Sequence, residues 1–193
     1  MEIPQEKKKL IIGSALELIN CHGFHGCPMS QVAKNAGVAA GTIYTYFENK
    51  EDMIYAIHDE VMDQIYEHVA LKDDPLRPFE ERFFTFWDNL LRFYEQNRAV
   101  QSFIDQFASS PFNSDDFQSK SKKWFSWTSE FFKSGIEEGA IKDMNPVILK
   151  ILVNESANSL AKVKKNYAKK LSKNHIDLSP IPYMIWDGIK AVN

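Results

Sequence analysis

Apolar residues recur every three or four positions along most of this chain, which is the spacing of one face of an α-helix. The longest such run lies between Asn49 and Leu71, and its apolar positions are Met53, Ile54, Ile57, Val61, Ile65 and Val69. No alternating apolar and polar run of strand length interrupts the pattern. The periodicity therefore predicts an all-α fold of about nine helices.

Glycine and proline divide this pattern into segments. Gly23 and Gly37 mark the ends of a first and a second helix, and a third is expected over about residues 40–47. Residues 72–78, with two prolines and two aspartates, cannot continue a helix and form the clearest break. Later helices are expected over about 79–96, 98–109, 117–138, 146–170 and 180–192. We expect an N-terminal three-helix domain over residues 1–49 and a larger helical domain over 50–193.

The segment from about residue 28 to 47 has the form of a helix-turn-helix, with a glycine turn between two short helices. In the second of these, Ile43 and Phe47 are four positions apart and are expected to point inward. Thr42, Tyr44 and Thr45 are left on the outer faces. Such a helix can enter the major groove of DNA, where hydroxyls reach base edges and rings pack on thymine methyls.

A longer stretch carries a specific resemblance. Gly23-Phe24, the run from Met29 to Val38 and the run from Gly41 to Met53 resemble the DNA-binding domain of the TetR family of bacterial transcriptional regulators. The resemblance implies a homodimer that reads a palindromic double-stranded DNA operator. It also implies a C-terminal domain that dimerises and binds a small ligand, so that a repressor is released from DNA when the ligand binds.

The same resemblance assigns DNA-binding positions. By position they are Gln31, Ala40, Thr42, Tyr44, Thr45, Tyr46 and Lys50, the last two as backbone contacts. The chain departs from the family at Ala39, where a Ser or Thr often caps the recognition helix. Without that cap the helix should be less stable by about 1 kcal/mol.

The second domain is rich in aromatic residues, most of which must be core. The family resemblance favours an aromatic pocket for a small hydrophobic or aromatic ligand between its helices. The candidate pocket residues are Phe83, Trp87, Phe103, Phe107, Trp124, Trp127 and Phe131, with Asp105, Gln106, Asn154 and Asn158 as polar partners.

Two apolar stripes near the C-terminus suggest a four-helix dimer interface across a two-fold axis. Its candidate residues are Ile148, Ile151, Leu152, Met184, Ile185 and Ile189. The alternative is that these helices complete the core of one chain. Between the two stripes, lysines at 162, 164, 165, 169, 170 and 173 are interpreted as a solvated helix end rather than a second nucleic-acid site.

Composition and charge refine these predictions. The net charge of the 193 residues is −3, and residues 1–50 hold five lysines against four glutamates, so the salt-dependent part of DNA affinity should be modest. Only two cysteines are present, Cys21 and Cys27, which suits a reducing, cytoplasmic compartment. No apolar run is long enough to span a membrane.

Motifs of enzymes and of metal or cofactor sites are not found, so neither catalysis nor a cofactor is expected. There is no Walker A, Gly-x-Ser-x-Gly or His-Glu-x-x-His sequence. Cys21, His22, His25 and Cys27 lie close together, but their spacing matches no standard zinc site. The alternative function is a dimeric ligand-binding or thiol- or metal-sensing protein whose helix-turn-helix does not read DNA directly.

Overall fold

The computed structural model describes residues 5–114, 116–117, 119–120 and 122–192, and this part confirms the all-α prediction. It contains ten α-helices and one 3₁₀ helix, Ala70–Lys72. The α-helices are α1 Gln5–His22, α2 Met29–Asn35, α3 Ala40–Ile43, α4 Lys50–Val69, α5 Phe79–Gln96, α6 Arg98–Ala108, α7 Lys123–Glu137, α8 Pro146–Asn166, α9 Ala168–Lys173 and α10 Ile181–Ile189. In the described residues, β-pairing is limited to one isolated antiparallel bridge, between Ile141 and Lys190.

Helix ends follow the signals expected of them. Gly23 and Gly37 take φ values of +68°, in the left-handed region that favours glycine, and each ends its helix. Asn49 caps α4 as its side-chain oxygen accepts a hydrogen bond of 2.9 Å from the backbone N–H of Asp52. Asn145 caps α8 in the same way, with 2.9 Å to the N–H of Val147.

Several helices differ in extent from the prediction, and the last of them ends at Ile189 rather than near residue 192. The third helix ends at Ile43 rather than near Phe47, since the N–H groups of Thr45 and Tyr46 bond to carbonyls only three residues back. The helix expected from 117 begins at Lys123. The helix expected over 146–170 is divided at Tyr167, whose φ of −119° and ψ of 14° leave the helical range.

The described residues group into two compact units. The helix-turn-helix unit takes its residues from Met1–Met62 and Asn97–Ser121, and the C-terminal unit from Asp63–Gln96 and Lys122–Asn193. The division falls within α4, after Met62, and not at residue 49, and it assigns α6 to the helix-turn-helix unit. The division into a DNA-binding domain over residues 1–49 and a ligand-binding domain over residues 50–193 stays a prediction.

Helix α6 belongs to the core of the helix-turn-helix unit because it packs along α1. The buried ring of Phe24, just after α1, meets the ring of Phe103 edge-on at 5.8 Å. The Gln106 side chain donates a hydrogen bond of 3.1 Å to the carbonyl of Ile19. These contacts support the three short N-terminal helices with a fourth that lies far along the chain.

The C-terminal unit is built on α5 and α8, which pack along each other, with α7 also against α8. Its core is aromatic: Phe79, Phe83 and Phe132 are fully buried. One ion pair is buried with it, as Arg82 makes two bonds of 2.8 and 2.9 Å to the carboxylate of Asp73. This paired geometry offsets the cost of removing both charges from water.

Candidate nucleic-acid interface and ligand groove

The helix-turn-helix divides into an inner and an outer face. Val32, Ile43 and Phe47 are buried, as predicted for the inner face. On the outer face, Ala40 and Thr45 are exposed and the Tyr44 side chain keeps 59% of its surface accessible. The inner contacts thus hold α3 with its polar side outward.

Several of the predicted DNA-binding side chains, Thr45 and Gln31 among them, already use part of their hydrogen-bonding capacity. The hydroxyl of Thr45 donates to the carbonyl of Thr42 at 2.7 Å, so that its lone pairs remain as acceptors. The amide of half-buried Gln31 donates to the Asn35 side chain at 2.9 Å. Thr45 is therefore suited to accept from a base amino group rather than to donate to a base carbonyl.

The start of α3 lacks a side-chain cap, as the sequence predicted. Ala39 has the extended backbone of an N-cap residue, with φ −63° and ψ 145°, but no side-chain hydrogen bond. Ala40 follows as the first helical residue and is exposed. The N–H of Thr42 donates to the carbonyl of Ala39 at 2.8 Å, so this turn is closed by the backbone without help from a side chain.

Lys50 is only partly available for the predicted phosphate contact. Its ammonium donates a short hydrogen bond to the carbonyl of Phe24. The side chain is half-buried. Lys50 thus ties the start of α4 to the loop after α1, and a phosphate contact would have to share the ammonium with this carbonyl.

The two cysteines near this unit have different surroundings. Cys21 is exposed, whereas Cys27 is buried with its thiol 3.8 Å from the carbonyl of Ala15. Burial raises the pKa of the Cys27 thiol to about 11, against the opposing effect of the Lys50 charge. Such a thiol is almost never ionised at neutral pH and is a poor redox sensor. Among the described residues no three His, Cys, Asp or Glu side chains are grouped to hold a metal ion.

The predicted aromatic pocket is not formed by most of its candidates. Phe83, Trp124 and Phe131 are buried. Their rings pack on others, as in the contacts of Phe83 with Trp186 at 5.1 Å and of Phe131 with Phe86 at 4.9 Å. Half-buried Trp127 stacks on Trp124 at 5.6 Å. Large aromatic rings at helical spacing fill the space between helices instead of lining a cavity.

The other pocket candidates are dispersed. Phe103 and Phe107 stack on each other at 5.7 Å in the helix-turn-helix unit, where Gln106 also lies, so they do not join the C-terminal aromatics in one pocket. Asn158 is buried on α8. The Asn154 side-chain oxygen is buried too, and has no hydrogen-bond partner in the described part of the chain.

Of the candidate pocket residues, Trp87 does line an open cavity. This cavity, which we call the α9 groove, has a volume of about 730 Å³ and lies in the C-terminal unit. Its lining residues are Trp87, Asp88, Leu91, Leu160, Lys164, Ala168, Leu171, Ile176, Asp177, Leu178, Ser179, Pro182 and Tyr183. Most of the wall comes from residues 168–183. The sequence pattern indicated a lysine-rich helix end up to residue 173 and a last helix from about residue 180.

The predicted dimer stripe is largely on the surface. On α8 the side chains of Ile148, Ile151 and Leu152 are exposed, and Met184 on α10 is exposed as well. Ile185 is half-buried. Ile189 corrects the prediction, since it is only 1% exposed within one chain and belongs to the core of the C-terminal unit.

Comparison with known proteins decides the family. The model described as bacterial regulatory proteins of the tetR family matches residues 11–57. A second model, tetracyclin repressor-like C-terminal domain, matches residues 78–189, which is more than half of the chain. The chain belongs to the TetR family. As a TetR-family chain it is a helix-turn-helix transcriptional regulator.

Individual TetR-family proteins resemble it over most of its length. An HTH-type transcriptional regulator of Haemophilus influenzae is 28% identical over 152 residues, which cover 78% of this chain and 79% of the relative. A TetR-family regulator from Shewanella sp. PV-4 shares the fold with a TM-score of 0.83 at 18% identity, over 96% of this chain and 99% of the other.

A second similar structure was solved with a ligand. The transcriptional regulator FadR from Bacillus subtilis, in complex with stearoyl-CoA, superposes with a TM-score of 0.67 at 20% identity. The match covers 93% of this chain and 95% of FadR. At this identity the likeness to FadR and to the Shewanella protein concerns the fold.

Within the described residues of this TetR-family chain, no helix is long and apolar enough to cross a membrane.

Proposed function

We propose that the chain is a homodimeric, cytoplasmic repressor that binds a palindromic DNA operator and leaves it when a small hydrophobic ligand binds. The observation that carries this proposal is the outward polar face of α3 and of the turn that follows it, where Tyr44 and Thr45 are exposed while Ile43 and Phe47 are buried. A helix held in this way can present its side chains to base edges.

DNA binding is proposed to rest on a few side chains. Thr42, Tyr44 and Thr45 would face the major groove, with Gln31 from α2 beside them. Tyr46 and Lys50 would contact the backbone, and Ala40 would allow close approach of a phosphate to the uncapped start of α3. Phosphate contacts fix the position of the protein on DNA, whereas base contacts carry the sequence information. Loss of a backbone contact should therefore weaken binding to all sequences, and loss of a groove contact should reduce sequence specificity.

Dimerisation is proposed to use the exposed stripe of α8 and α10. Ile148, Ile151, Leu152 and Met184 leave apolar surface open on a single chain, and burial of such surface favours association. A two-fold dimer would place its two copies of α3 in successive major grooves if they are about 34–36 Å apart. The ligand acts, in this proposal, by binding more tightly to a state in which that separation is lost.

A hydrophobic ligand is favoured by the composition of the α9 groove, most of whose lining is apolar. The fold neighbour FadR, solved with stearoyl-CoA, is an example of a relative with such a ligand. No catalytic step is assigned to the chain. For the rival sensing function, the buried Cys27 thiol with its raised pKa is a poor candidate, which leaves only the exposed Cys21 of the two cysteines.

The direct test is selection of DNA from random duplexes by the full chain, followed by affinity measurements on the selected operator. We expect Tyr44→Ala to lower operator affinity by roughly 5- to 150-fold, which corresponds to about 1–3 kcal/mol for a lost base contact. Raising salt should weaken binding with a shallow slope, because few lysines lie near the interface.

Tyr167→Ala is the matched control, since Tyr167 is also an exposed tyrosine but lies in the C-terminal unit. It should leave operator affinity unchanged. Failure of the wild-type chain to enrich any sequence, or equal effects of the two substitutions, would refute the assignment of DNA reading to α3.

A further inference from the structure

The floor of the α9 groove offers only carbon to a ligand. Trp87, Leu91 and Leu160 form it, and all three are buried. The one polar atom of the Trp87 ring, its N–H, already donates to the hydroxyl of Ser156 at 2.9 Å. Leu171, Ile176, Leu178, Pro182 and Tyr183 continue this apolar lining to the opening. A surface of this kind binds hydrocarbon, and each buried methylene should raise affinity roughly fourfold.

The polar side chains of the groove have partners within the chain. Asp88 pairs with Arg92 at 2.7 Å, and Lys164 pairs with Glu95 at 2.6 Å. The carboxylate of Asp177 accepts two hydrogen bonds from Ser179, at 2.8 and 2.9 Å. The groove therefore does not require a polar ligand to satisfy buried groups.

Lysines are concentrated on α8 and α9, the two helices that supply Leu160, Lys164, Ala168 and Leu171 to this lining. Residues 162–176 include six lysines and no acidic residue. Lys165, Lys169, Lys170 and Lys173 are exposed on the end of α8 and on α9, next to the lining residues Ala168 and Leu171. Several like charges close together attract a polyanion much more strongly than a single carboxylate.

We propose that the α9 groove holds the hydrocarbon chain of a soluble long-chain amphiphile whose phosphate-bearing head group lies on the lysines of α8 and α9. A long-chain acyl thioester of coenzyme A has this chemistry. The cavity, at about 730 Å³, is within the range of small-molecule sites. A membrane surface fits less well because the apolar groups line a concave groove rather than project from the protein. The inference rests on the proposed function, for which it names the ligand class.

The first experiment measures binding of octanoyl-, dodecanoyl- and palmitoyl-CoA to the full chain by calorimetry, below their micelle concentrations. Affinity should rise several-fold for each methylene added until the groove is filled. Coenzyme A alone should bind at least tenfold more weakly than palmitoyl-CoA, and so should palmitate, which lacks the phosphates. Equal affinity for all chain lengths would overturn the proposal.

Two variants locate the site. Ala168→Phe places a ring in the groove from an exposed position on α9, and should weaken palmitoyl-CoA binding at least tenfold. Lys169→Gln with Lys170→Gln and Lys173→Gln should weaken it at least tenfold and reduce its salt dependence. The charge-matched control is Lys122→Gln with Lys123→Gln and Lys133→Gln, which lie outside the groove and should bind as wild type. Wild-type binding by both groove variants would overturn the proposal.

Operator binding without ligand is measured in parallel, so the two proposals fail separately. If the chain binds palmitoyl-CoA in the groove but binds no operator, the repressor proposal is refuted and the proposed ligand site is retained. If the chain binds its operator but not palmitoyl-CoA, only the proposed ligand site is refuted. Binding to vesicles of phosphatidylglycerol without binding to soluble palmitoyl-CoA would also overturn the proposal, in favour of a membrane contact.

Discussion

His58 is a titratable side chain placed among aromatic rings. On α4 it is buried, with the rings of Phe107 and Phe117 at 4.7 and 4.9 Å. Burial lowers the pKa of His58 below its ordinary value of 6.5, although the charge of Asp59, 3.8 Å away, opposes the shift. The protonated ring is thus disfavoured in the folded chain.

This shift predicts a pH dependence of stability. The unfolded chain takes up a proton near pH 6.5, whereas the folded chain does so only at lower pH. The free energy of unfolding should therefore fall as the pH is lowered from 6.5 toward the folded pKa, and be retained in full above 6.5. His58→Leu should flatten this part of the profile in urea unfolding measured at a series of pH values.

The control for this prediction is His68→Leu, because His68 is exposed on the same helix. It should keep the wild-type slope below pH 6.5. An unchanged slope in His58→Leu would show that other groups cause the pH dependence.

At the scale of helices, α7 contains a glycine that packing requires. A methyl group built on Gly135 would lie 2.5 Å from the ring of Phe79, which is fully buried. Gly135→Ala should therefore destabilise the chain by about 1–3 kcal/mol, although alanine is the better helix former. Thermal unfolding followed by circular dichroism should show a Tm lower by several degrees.

Gly13 provides the opposite case on α1. It is exposed, and nothing lies within 4 Å of the methyl position. Gly13→Ala should stabilise the chain by about 0.5–1 kcal/mol through helix propensity alone. Stabilisation by both substitutions would mean that the ring of Phe79 moves aside without cost.

The helices show what the sequence could predict. Periodicity predicted α4 and α5, and the spacing of Ile43 and Phe47 predicted the inner face of α3 and of the turn after it, because these features depend on nearby residues. The packing of α6 on α1 was not predicted, since an apolar stripe indicates a buried face but not its partner. For the same reason the aromatic residues were expected to form a pocket that packing instead fills.

The α9 groove was missed for a related reason. Leu171 stands among the lysines that were interpreted as a solvated helix end, and Ile176 and Leu178 follow in a segment with no helical period. Their common feature appears only when α9 folds beside Trp87 and Leu160.

For the whole molecule, the central question is whether two copies associate through α8 and α10. Ile151 is 55% exposed in the middle of the stripe, and a two-fold axis would bring this position to the interface from both chains. Ile151→Asp would then bury two carboxylates among apolar side chains, at a cost of several kcal/mol. We expect light scattering to give twice the mass of the chain for wild type and a single mass for the variant.

The consequence for DNA binding follows from symmetry. A monomer contacts only one half of a palindromic operator, so Ile151→Asp should lower operator affinity at least tenfold while α3 itself is unchanged. Leu76→Asp is the matched control, since Leu76 is 95% exposed but lies outside the stripe, in the turn before α5. It should remain dimeric and bind DNA as wild type. A dimeric Ile151→Asp variant would move the interface to another face and leave the α8 stripe without its proposed role.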